Sequence, residues 1–415
     1  GMDDLENCAE FCSKFREVIL DGHMVDHRQI WQECGINPLY PQAGTWIFDR
    51  ANWCPGSMVQ PHMIELPVKP GTTHTLDIQM QPYVNSGKPS ATYSFSSSVF
   101  YYTAPWAKND VSIEDIIAPS SYDEFGRFNP VCMNSRIRIK NNGRKVLESV
   151  SIRYNLSHAE PSVYLWEGIL DPQHSAEVEL PGIFPVSEND QRFIVTLDMP
   201  NGTKDEYPYD NSMTSDVKAC PVYSSPFVFV LKTNNESHHN AYRITDHTGS
   251  IVSEKTLGSL KPSTVYRDTL RLTPGCYEIT VTDTAGDGLD FWFNPEGGYG
   301  YMRLVDMKGK LVKSFLSDFG SGIRHVLRVE KRAGKLPAGG ALPIVEVFPP
   351  RNQGIFNIEL FNNEPQDVFL KIFTADTSRI IFSRKYPYLK EGSLEVDLTS
   401  HLDGTYIIQV LTKAG

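Results

Sequence analysis

A carboxylate lies between two closely spaced cysteines near the start of the chain, in Cys8-Ala9-Glu10-Phe11-Cys12. In an extended strand, Cα atoms four residues apart are about 13 Å from each other, beyond the ~7 Å limit for a disulfide. A bond between Cys8 and Cys12 therefore requires a turn, and it would fix the direction of Glu10. The alternative is a surface disulfide beside a solvated glutamate, and the residues alone leave both interpretations open.

A second cluster of reactive and aromatic residues follows between Gly44 and Gly56, where Asp49-Arg50 is flanked by Trp46 and Trp53. Tryptophan faces stack on sugars, and the fork of an arginine holds carbonyl or hydroxyl oxygens. This composition suits a carbohydrate site. It suits a structural tryptophan cluster clamped by the Asp-Arg pair at least as well.

Three aspartates, Asp283, Asp287 and Asp290, lie in a Gly-rich loop that follows a predicted strand at 277–281. Alternating oxygen ligands on a sharply turning backbone are what a hard cation such as Ca²⁺ needs. The loop is similar to those of CUB-like modules in secreted bacterial hydrolases, so we expect Ca²⁺ binding at Asp283 to Asp290. A metal-free Asp-Gly hairpin turn is the alternative.

The rest of the sequence predicts an all-β chain that carries these residues on several small domains. Its 415 residues contain 30 Gly and 28 Pro, and period-2 alternation with an Asn-Gly turn at 142–143 indicates antiparallel sheets. We predict a first segment (1–118), for which the resemblance given below implies a partial jelly roll, then an Ig-like β-sandwich (119–219), a CUB-like β-sandwich (220–332), a linker near 331–340 and a small Ig-like domain (344–415). One short helix is expected near Asp26 to Glu33.

Charge and hydropathy exclude two classes of partner. The net charge is −11 and no Lys/Arg block is present, which argues against nucleic-acid binding. No apolar run approaches the ~18 residues that a membrane span requires. Seven cysteines, four of them within residues 8–54, suit an oxidising compartment. The opening Gly-Met suggests a processed terminus from which an export signal was trimmed.

The amino-terminal motifs together resemble a known family. Cys-Ala-Glu-aromatic-Cys, then Cys34, then Asp-Arg-Ala-x-Trp-Cys-Pro-Gly, is similar to the second jelly-roll domain of the peptide-N-glycosidase F family, over residues 6 to 118. The resemblance implies disulfides Cys8–Cys12 and Cys34–Cys54. It also implies a catalytic role for Glu10 and substrate contacts for Phe11, Arg50, Trp46 and Trp53. The family has tryptophan where this chain has Phe11.

The resemblance leaves the catalytic site half complete. In the family, the principal catalytic aspartate belongs to a preceding jelly-roll domain, for which there is no room before Cys8. Amide hydrolysis needs an activated water and a proton for the leaving amine, and one carboxylate rarely supplies both. We therefore keep two hypotheses: a secreted amidase that releases N-linked glycans in its complete form without a required cofactor, and a non-catalytic glycan-binding or adhesive protein. A protease is set aside because no His-Glu-x-x-His motif is present.

The carboxyl-terminal residues 347–406 resemble the C-terminal sorting domain of the Bacteroidetes type IX secretion system. This implies a secretion-machinery partner and a location at the cell surface or in the medium. A further Ig-like module without an export role is the alternative. A copper-monooxygenase relative of the peptide-N-glycosidase F family shares its jelly-roll pair, but His23, His27, His62 and His74 are scattered without a clear metal-ligand pattern. The sequence does not indicate whether Cys132, Cys220 and Cys276 include a pair.

Overall fold

The computed structural model describes residues 9–69, 71–82, 93–101, 104–128, 132, 134–157, 159–182, 192–217, 219–331, 343–349, 352–376 and 379–412. Within these ranges the chain forms strands and short 3₁₀ turns, and it contains no α-helix. The all-β prediction is therefore confirmed. The chain divides into two compact units, residues 1–219 with 320–322, and residues 220–319 with 323–415.

The first unit begins with a three-stranded sheet in the order β2-β1-β3. Its strands are β1 (Lys14–Leu20), β2 (His23–Ile30) and β3 (Leu76–Met80). Asp21 and Gly22 both have positive φ, 50° and 82°, as a two-residue hairpin turn of type I′ requires. The helix predicted near Asp26 to Glu33 is wrong, because this turn folds residues 23–30 back onto β1 and pairs them with it.

A β-sandwich of two sheets follows later in the first unit. One sheet has the order β4-β5-β8 and the other β10-β9-β6-β7, and their inward residues share one hydrophobic core. The strands predicted at 135–140, 149–154, 176–180 and 193–197 are all present. Although β4 ends at residue 118, it pairs with β5, so the sandwich includes a strand before that residue. The strands are β4 (Val111–Ala118), β5 (Ser135–Asn141), β6 (Leu147–Leu156), β7 (Ser162–Leu170), β8 (Ser175–Leu180), β9 (Arg192–Asp198) and β10 (Ser212–Asp216).

The second unit contains two sheets built from residues 222–330. A five-stranded sheet has the order β11-β19-β16-β13-β14, and a four-stranded sheet has the order β15-β12-β17-β18. The strands predicted at 227–231, 277–281 and 301–304 are present. The strands are β11 (Val222–Ser224), β12 (Phe227–Lys232), β13 (Asn240–Asp246), β14 (Ile251–Lys255), β15 (Val265–Leu270), β16 (Gly275–Asp283), β17 (Tyr301–Asp306), β18 (Leu311–Ser314) and β19 (Gly322–Glu330).

The last sheet of the second unit contains β20 (Ile344–Phe348), β21 (Ile355–Thr374), β22 (Ile380–Asp397) and β23 (Tyr406–Leu411). The strands predicted separately at 354–360 and 368–372 are one long strand, β21, whose register shifts between Phe361 and Gln366. Phe348 and Phe361 join a hydrophobic cluster with residues of β12 and β17. The predicted linker lies, from residue 332 onward, outside the described residues. None of the described helices is long and apolar enough to cross a membrane.

Candidate functional site

Glu10 lies in a tight turn that is tied to a distant loop. Residues Ala9–Phe11 form a 3₁₀ turn, and the Ala51 amide donates to the Glu10 carbonyl oxygen over 2.8 Å. A turn is what the sequence predicts for a bond across this pentapeptide. Cys12 is disulfide-bonded, while its predicted partner Cys8 lies outside the described residues. The turn fixes the backbone of Glu10 beside residues 50–51.

The loop that contains Arg50 is held at both of its ends. The predicted disulfide between Cys34 and Cys54 is present. Gln32 and Arg50 exchange two backbone hydrogen bonds, of 2.7 and 3.1 Å, and the Cys34 amide donates to Asp49 Oδ1 over 2.9 Å. The loop is therefore held by a disulfide, by two backbone hydrogen bonds and by the Asp49 carboxylate.

The Arg50 side chain is buried and its fork is directed at the backbone of its own loop. Nη1 donates to the Phe48 carbonyl oxygen over 2.6 Å, and Nη2 donates to the Thr45 carbonyl oxygen over 2.9 Å. Only 5% of the residue is exposed. The guanidinium thus donates to carbonyl oxygens of residues that lie outside any strand. This arrangement agrees with the structural interpretation of the Asp-Arg motif, in which the pair clamps its own loop.

The remaining side of the guanidinium faces Glu10 and two aromatic rings. Arg50 Nε lies 3.8 Å from Glu10 Oε1 and makes no hydrogen bond of its own. The guanidinium carbon is 4.9 Å from the Phe11 ring centre and 5.2 Å from that of Trp53. Burial lowers the pKa of Arg50, and the carboxylates of Glu10 and Asp49 oppose this effect. Arg50 is therefore a cation at the base of a small aromatic and acidic patch.

The predicted site residues differ in their access to solvent. Trp53 is 38% exposed, and Glu10 and Phe11 are half-buried, so these three present groups at the surface. Trp46 is 0% exposed. Its ring faces are covered by protein in this structure, so its substrate contact remains a prediction, as do the roles of the other four residues.

A polar relay that sequence reasoning missed supports the same loop. Arg16 Nη1 contacts Asp26 Oδ2 at 2.5 Å, and Arg16 also donates to His62 Nδ1 over 3.3 Å. His62 Nε2 then lies 2.8 Å from Asn52 Oδ1. Because Nδ1 accepts from Arg16, the ring proton is on Nε2 and is donated to Asn52. Burial and nearby arginines lower the pKa of His62, which favours the neutral ring that this arrangement needs.

These hydrogen bonds reach the candidate site at Asn52. It has φ of +63°, the left-handed conformation that asparagine adopts more readily than most residues, and it directly precedes Trp53. His62 appeared in the sequence only as one of four scattered histidines. Its contact with Asn52 had no local signal, because no motif joins the two residues.

The three aspartates of the Gly-rich loop in the second unit are not arranged as a three-carboxylate metal group. Asp283 Oδ1 accepts from the Gly286 amide over 2.7 Å, and its Oδ2 accepts from Asn240. Asp287 is paired with Asn294 instead. Burial, together with neighbouring carboxylates, raises the pKa of Asp283 and of Asp290 to about 7. Ca²⁺ binding here remains a prediction.

Two further findings concern metal-ligating groups and thiols in the described part of the chain. There, no group of three or more His, Cys, Asp or Glu side chains is arranged to hold a metal ion. Cys132 and Cys276 are each disulfide-bonded, whereas Cys220 is a free thiol. Burial raises the pKa of Cys220 to about 11, so it is protonated and unreactive at neutral pH.

The sequence comparisons agree with the location of this patch. A family model described as "Peptide-N-glycosidase F, C terminal" matches residues 1–100. Residues 1–100 are related to the peptide-N-glycosidase F family. A curated relative, peptide-N(4)-(N-acetyl-beta-D-glucosaminyl)asparagine amidase F of Elizabethkingia miricola, is 32% identical over 97 residues. The match covers 22% of this chain and 27% of the relative, so the chain spans about a quarter of that protein's length.

Similar solved structures are more distant. The fibronectin domains FN1–FN3 of chicken CNTN1 match with a TM-score of 0.15 and 10% identity, covering 74% of this chain and 93% of theirs. A tetra-tandem repeat from the extending region of a large adhesion protein matches with a TM-score of 0.19 and 9% identity, covering 96% and 87%. Scores this low carry no argument about function.

Proposed function

We propose that this protein, in its complete form, releases N-linked glycans by hydrolysing the amide that joins the glycan to asparagine. The observation that carries the proposal is the placement of Glu10. Its partly exposed carboxylate lies 3.8 Å from Arg50 Nε, beside the exposed Trp53 ring, within the segment related to peptide-N-glycosidase F. A carboxylate, a cation and an aromatic face together suit a sugar linked through an amide.

The proposed chemistry uses Glu10 for one of two necessary tasks. Its carboxylate positions or activates the water that attacks the amide carbon, and the products are aspartate and a glycosylamine. The leaving amine needs a proton from a second group. By the family resemblance, that group belongs to a preceding domain of the complete protein.

Arg50 serves this chemistry by holding position. Because its fork is bound to the carbonyl oxygens of Phe48 and Thr45, the guanidinium cannot move with the substrate. Its free edge then presents a fixed positive charge to Glu10. A carboxylate held this way keeps its direction without a further side-chain hydrogen bond.

Glycan release tests the proposal directly. The purified chain is incubated with a denatured N-glycoprotein, and mass spectrometry follows the conversion of glycosylated asparagine to aspartate. We expect Glu10→Gln to abolish any release. Glu33→Gln, an exposed carboxylate that follows the Gln32 bridge, is the matched control and should leave release unchanged. Release that survives Glu10→Gln would overturn the assignment of Glu10.

Glycan binding without hydrolysis is the second candidate function, and the exposed Trp53 ring favours it. Stacking of a sugar on an aromatic face needs no catalytic group. Binding is measured by the fluorescence change of the chain on addition of an N-glycan, with Trp53→Ala as the test and Trp292→Ala as the control. No release, together with binding that requires Trp53, would support this function over the first.

We also propose that the protein is exported to the cell surface or the medium. The Cys34–Cys54 disulfide and the disulfide-bonded Cys12, Cys132 and Cys276 suit an oxidising compartment. The resemblance of residues 347–406 to a type IX sorting domain supports the secretion machinery as a partner. Protease treatment of intact producing cells tests this proposal: degradation of the protein supports surface exposure, and full protection without release into the medium refutes it.

A further inference from the structure

The end of the β-sandwich in the first unit gathers acidic residues that the proposed function does not use. Three segments meet there: the residues before β4, the β5–β6 turn and the β9–β10 loop. The Asn142 amide donates to the Asp110 carbonyl oxygen over 3.0 Å, and the Asn142 side chain donates to Asp210 Oδ2 over 3.3 Å. Asn142 thus brings Asp110 and Asp210 to one place from distant parts of the sequence.

Two carboxylates in this region have structural roles. Asp205 is buried, its Oδ2 accepts from the Val111 amide over 3.0 Å, and its Oδ1 accepts from the Tyr207 amide over 2.7 Å. Glu206 accepts from the Lys108 amide over 3.1 Å. These bonds hold the β9–β10 loop against the start of β4, so they account for Asp205 and Glu206 without a ligand.

Asp110 has no such partner. The residue is 7% exposed, and its Oδ1 is buried without a hydrogen bond. Within the described part of the chain, no hydrogen bond or ion pair reaches its carboxylate. A buried carboxylate without a donor or counter-charge is strongly unfavourable, and native structures supply a partner for nearly every such group.

Two more buried oxygens in the adjacent loop lack a donor. They are Oδ1 of Asp210 and Oδ1 of Asn211. Asn211 is 4% exposed, and its Nδ2 donates to the Leu197 carbonyl oxygen over 3.3 Å, which leaves the amide oxygen as the unpaired atom. The uncharged Asn211 therefore has a buried oxygen without a hydrogen-bond donor, as the two aspartates do.

Negative charge accumulates around these oxygens. Burial, together with the nearby carboxylates of Asp205, Asp210 and Glu206, raises the pKa of Asp110 to about 7. No Lys or Arg side chain within the described ranges forms an ion pair with these four groups. One proton on Asp110 would not satisfy all three buried oxygens, Asp110 Oδ1, Asp210 Oδ1 and Asn211 Oδ1, because it can join at most two of them.

From these unpaired oxygens we propose that Asp110 and Asp210 bind a hard divalent cation, Ca²⁺ by preference, with Asn211 Oδ1 and water as neutral ligands. Ca²⁺ accepts six to eight oxygens at about 2.3–2.6 Å, so it joins oxygens that are neighbours without being hydrogen-bonded to each other. The site has two carboxylates, in keeping with the lack of a three-carboxylate group in the described chain. So few charges place the dissociation constant in the range of extracellular modules, about 10⁻⁴ to 10⁻³ M.

Calcium titration of the whole chain tests this site. Thermal unfolding is followed by tryptophan fluorescence after EDTA treatment and at increasing Ca²⁺, with Mg²⁺ in parallel. At about ten times the dissociation constant, we expect the unfolding midpoint to rise by about 3–6 °C. Terbium(III) luminescence excited through tyrosine is a second readout, because Tyr207 and Tyr209 belong to the same loop.

Variants separate this site from any other calcium site in the chain. Asp110→Asn and the half-buried Asp210→Asn should each remove the calcium response, and Asp110→Asn should not lower the midpoint in EDTA, because it removes an unpaired charge. Asp216→Asn, an exposed aspartate on β10, is the matched control and should respond as the wild type does. No calcium response in the wild type, or an unchanged response in both Asp110→Asn and Asp210→Asn, would overturn the proposal.

Discussion

Replacing Arg50 with lysine tests whether the guanidinium fork holds the candidate site together. The fork makes two short hydrogen bonds, to the carbonyl oxygens of Phe48 and Thr45, and a lysine ammonium reaches only one of them. A hydrogen bond that involves a charged group contributes about 1.5–3 kcal/mol. Weaker stacking on Phe11 and Trp53 adds about 0.5–1 kcal/mol. We expect Arg50→Lys to lower the free energy of unfolding of the first unit by about 2–4 kcal/mol.

Tryptophan fluorescence is the appropriate assay for this prediction. Five of the six tryptophans lie in residues 1–219, so the signal follows the first unit during urea unfolding. Arg28→Lys is the matched control, since Arg28 is exposed on the neighbouring strand β2. That substitution should change the free energy of unfolding by less than about 0.5 kcal/mol.

A loss below about 1 kcal/mol in Arg50→Lys would refute the reasoning. It would mean that water or another donor satisfies the loop carbonyls as well as the fork does. The positive charge of Arg50 would then be its main contribution, and Glu10 would be oriented by electrostatics alone.

Three further predictions concern stability. Replacing both Cys34 and Cys54 with alanine should cost about 3 kcal/mol, because the bond closes a loop with a sequence separation of 20; urea unfolding measures the loss. Gly320→Ala should cost about 2–4 kcal/mol, since φ is +68° and the added methyl would clash with the Gly35 carbonyl oxygen and lie 2.9 Å from the Trp46 ring; the same assay measures it. Burial lowers the pKa of His325 to about 4, so as the pH falls the unfolded state binds a proton at this residue before the folded state does. The contribution of His325 to stability is therefore complete above about pH 6.5 and is lost as the pH falls toward 4. The unfolding midpoint at pH 7 and pH 5 should differ more in the wild type than in His325→Phe.

Each of these predictions has its own contradicting result. If a reductant lowers the unfolding midpoint of the double cysteine variant as far as it lowers that of the wild type, the Cys34–Cys54 bond does not account for the loss of stability. Gly258 has a φ of +75° and open space around its Cα, so Gly258→Ala measures backbone strain alone. Equal losses at Gly320 and Gly258 would show that the clash with Gly35 and Trp46 adds nothing to the backbone strain. An identical pH response in His325→Phe would assign the titration to other groups.

Local patterns predicted the architecture because they depend on short stretches of chain. Period-2 alternation and the Asn142-Gly143 turn correctly placed β5 and β6, and these signals need no knowledge of distant residues. The predicted helix near Asp26 to Glu33 failed because the Asp21-Gly22 turn, which lies outside that stretch, determines its conformation. A turn only two residues long therefore outweighed the local propensity of eight.

The sequence predicted which residue types form the candidate site, but it did not predict which of them are buried or which groups they contact. The motif places Trp46 and Trp53 symmetrically about Asp49-Arg50, yet one ring is buried and the other is exposed. The fork of Arg50 binds loop carbonyls, which have no signature in the sequence. His62 contacts Asn52 through space alone, so only coordinates could join them.

Arg50 and the aromatic residues around it contribute differently to folding and to binding, and this difference predicts which positions vary among related sequences. The guanidinium is committed to the backbone of its own loop, so a change at position 50 disturbs folding and binding together. Phe11 and Trp53 contact it only with their ring faces and reach the surface, so they can be exchanged for other side chains while the loop survives. Among related sequences, we therefore expect positions 11 and 53 to vary and position 50 to stay fixed, and an alignment of those sequences would test this expectation.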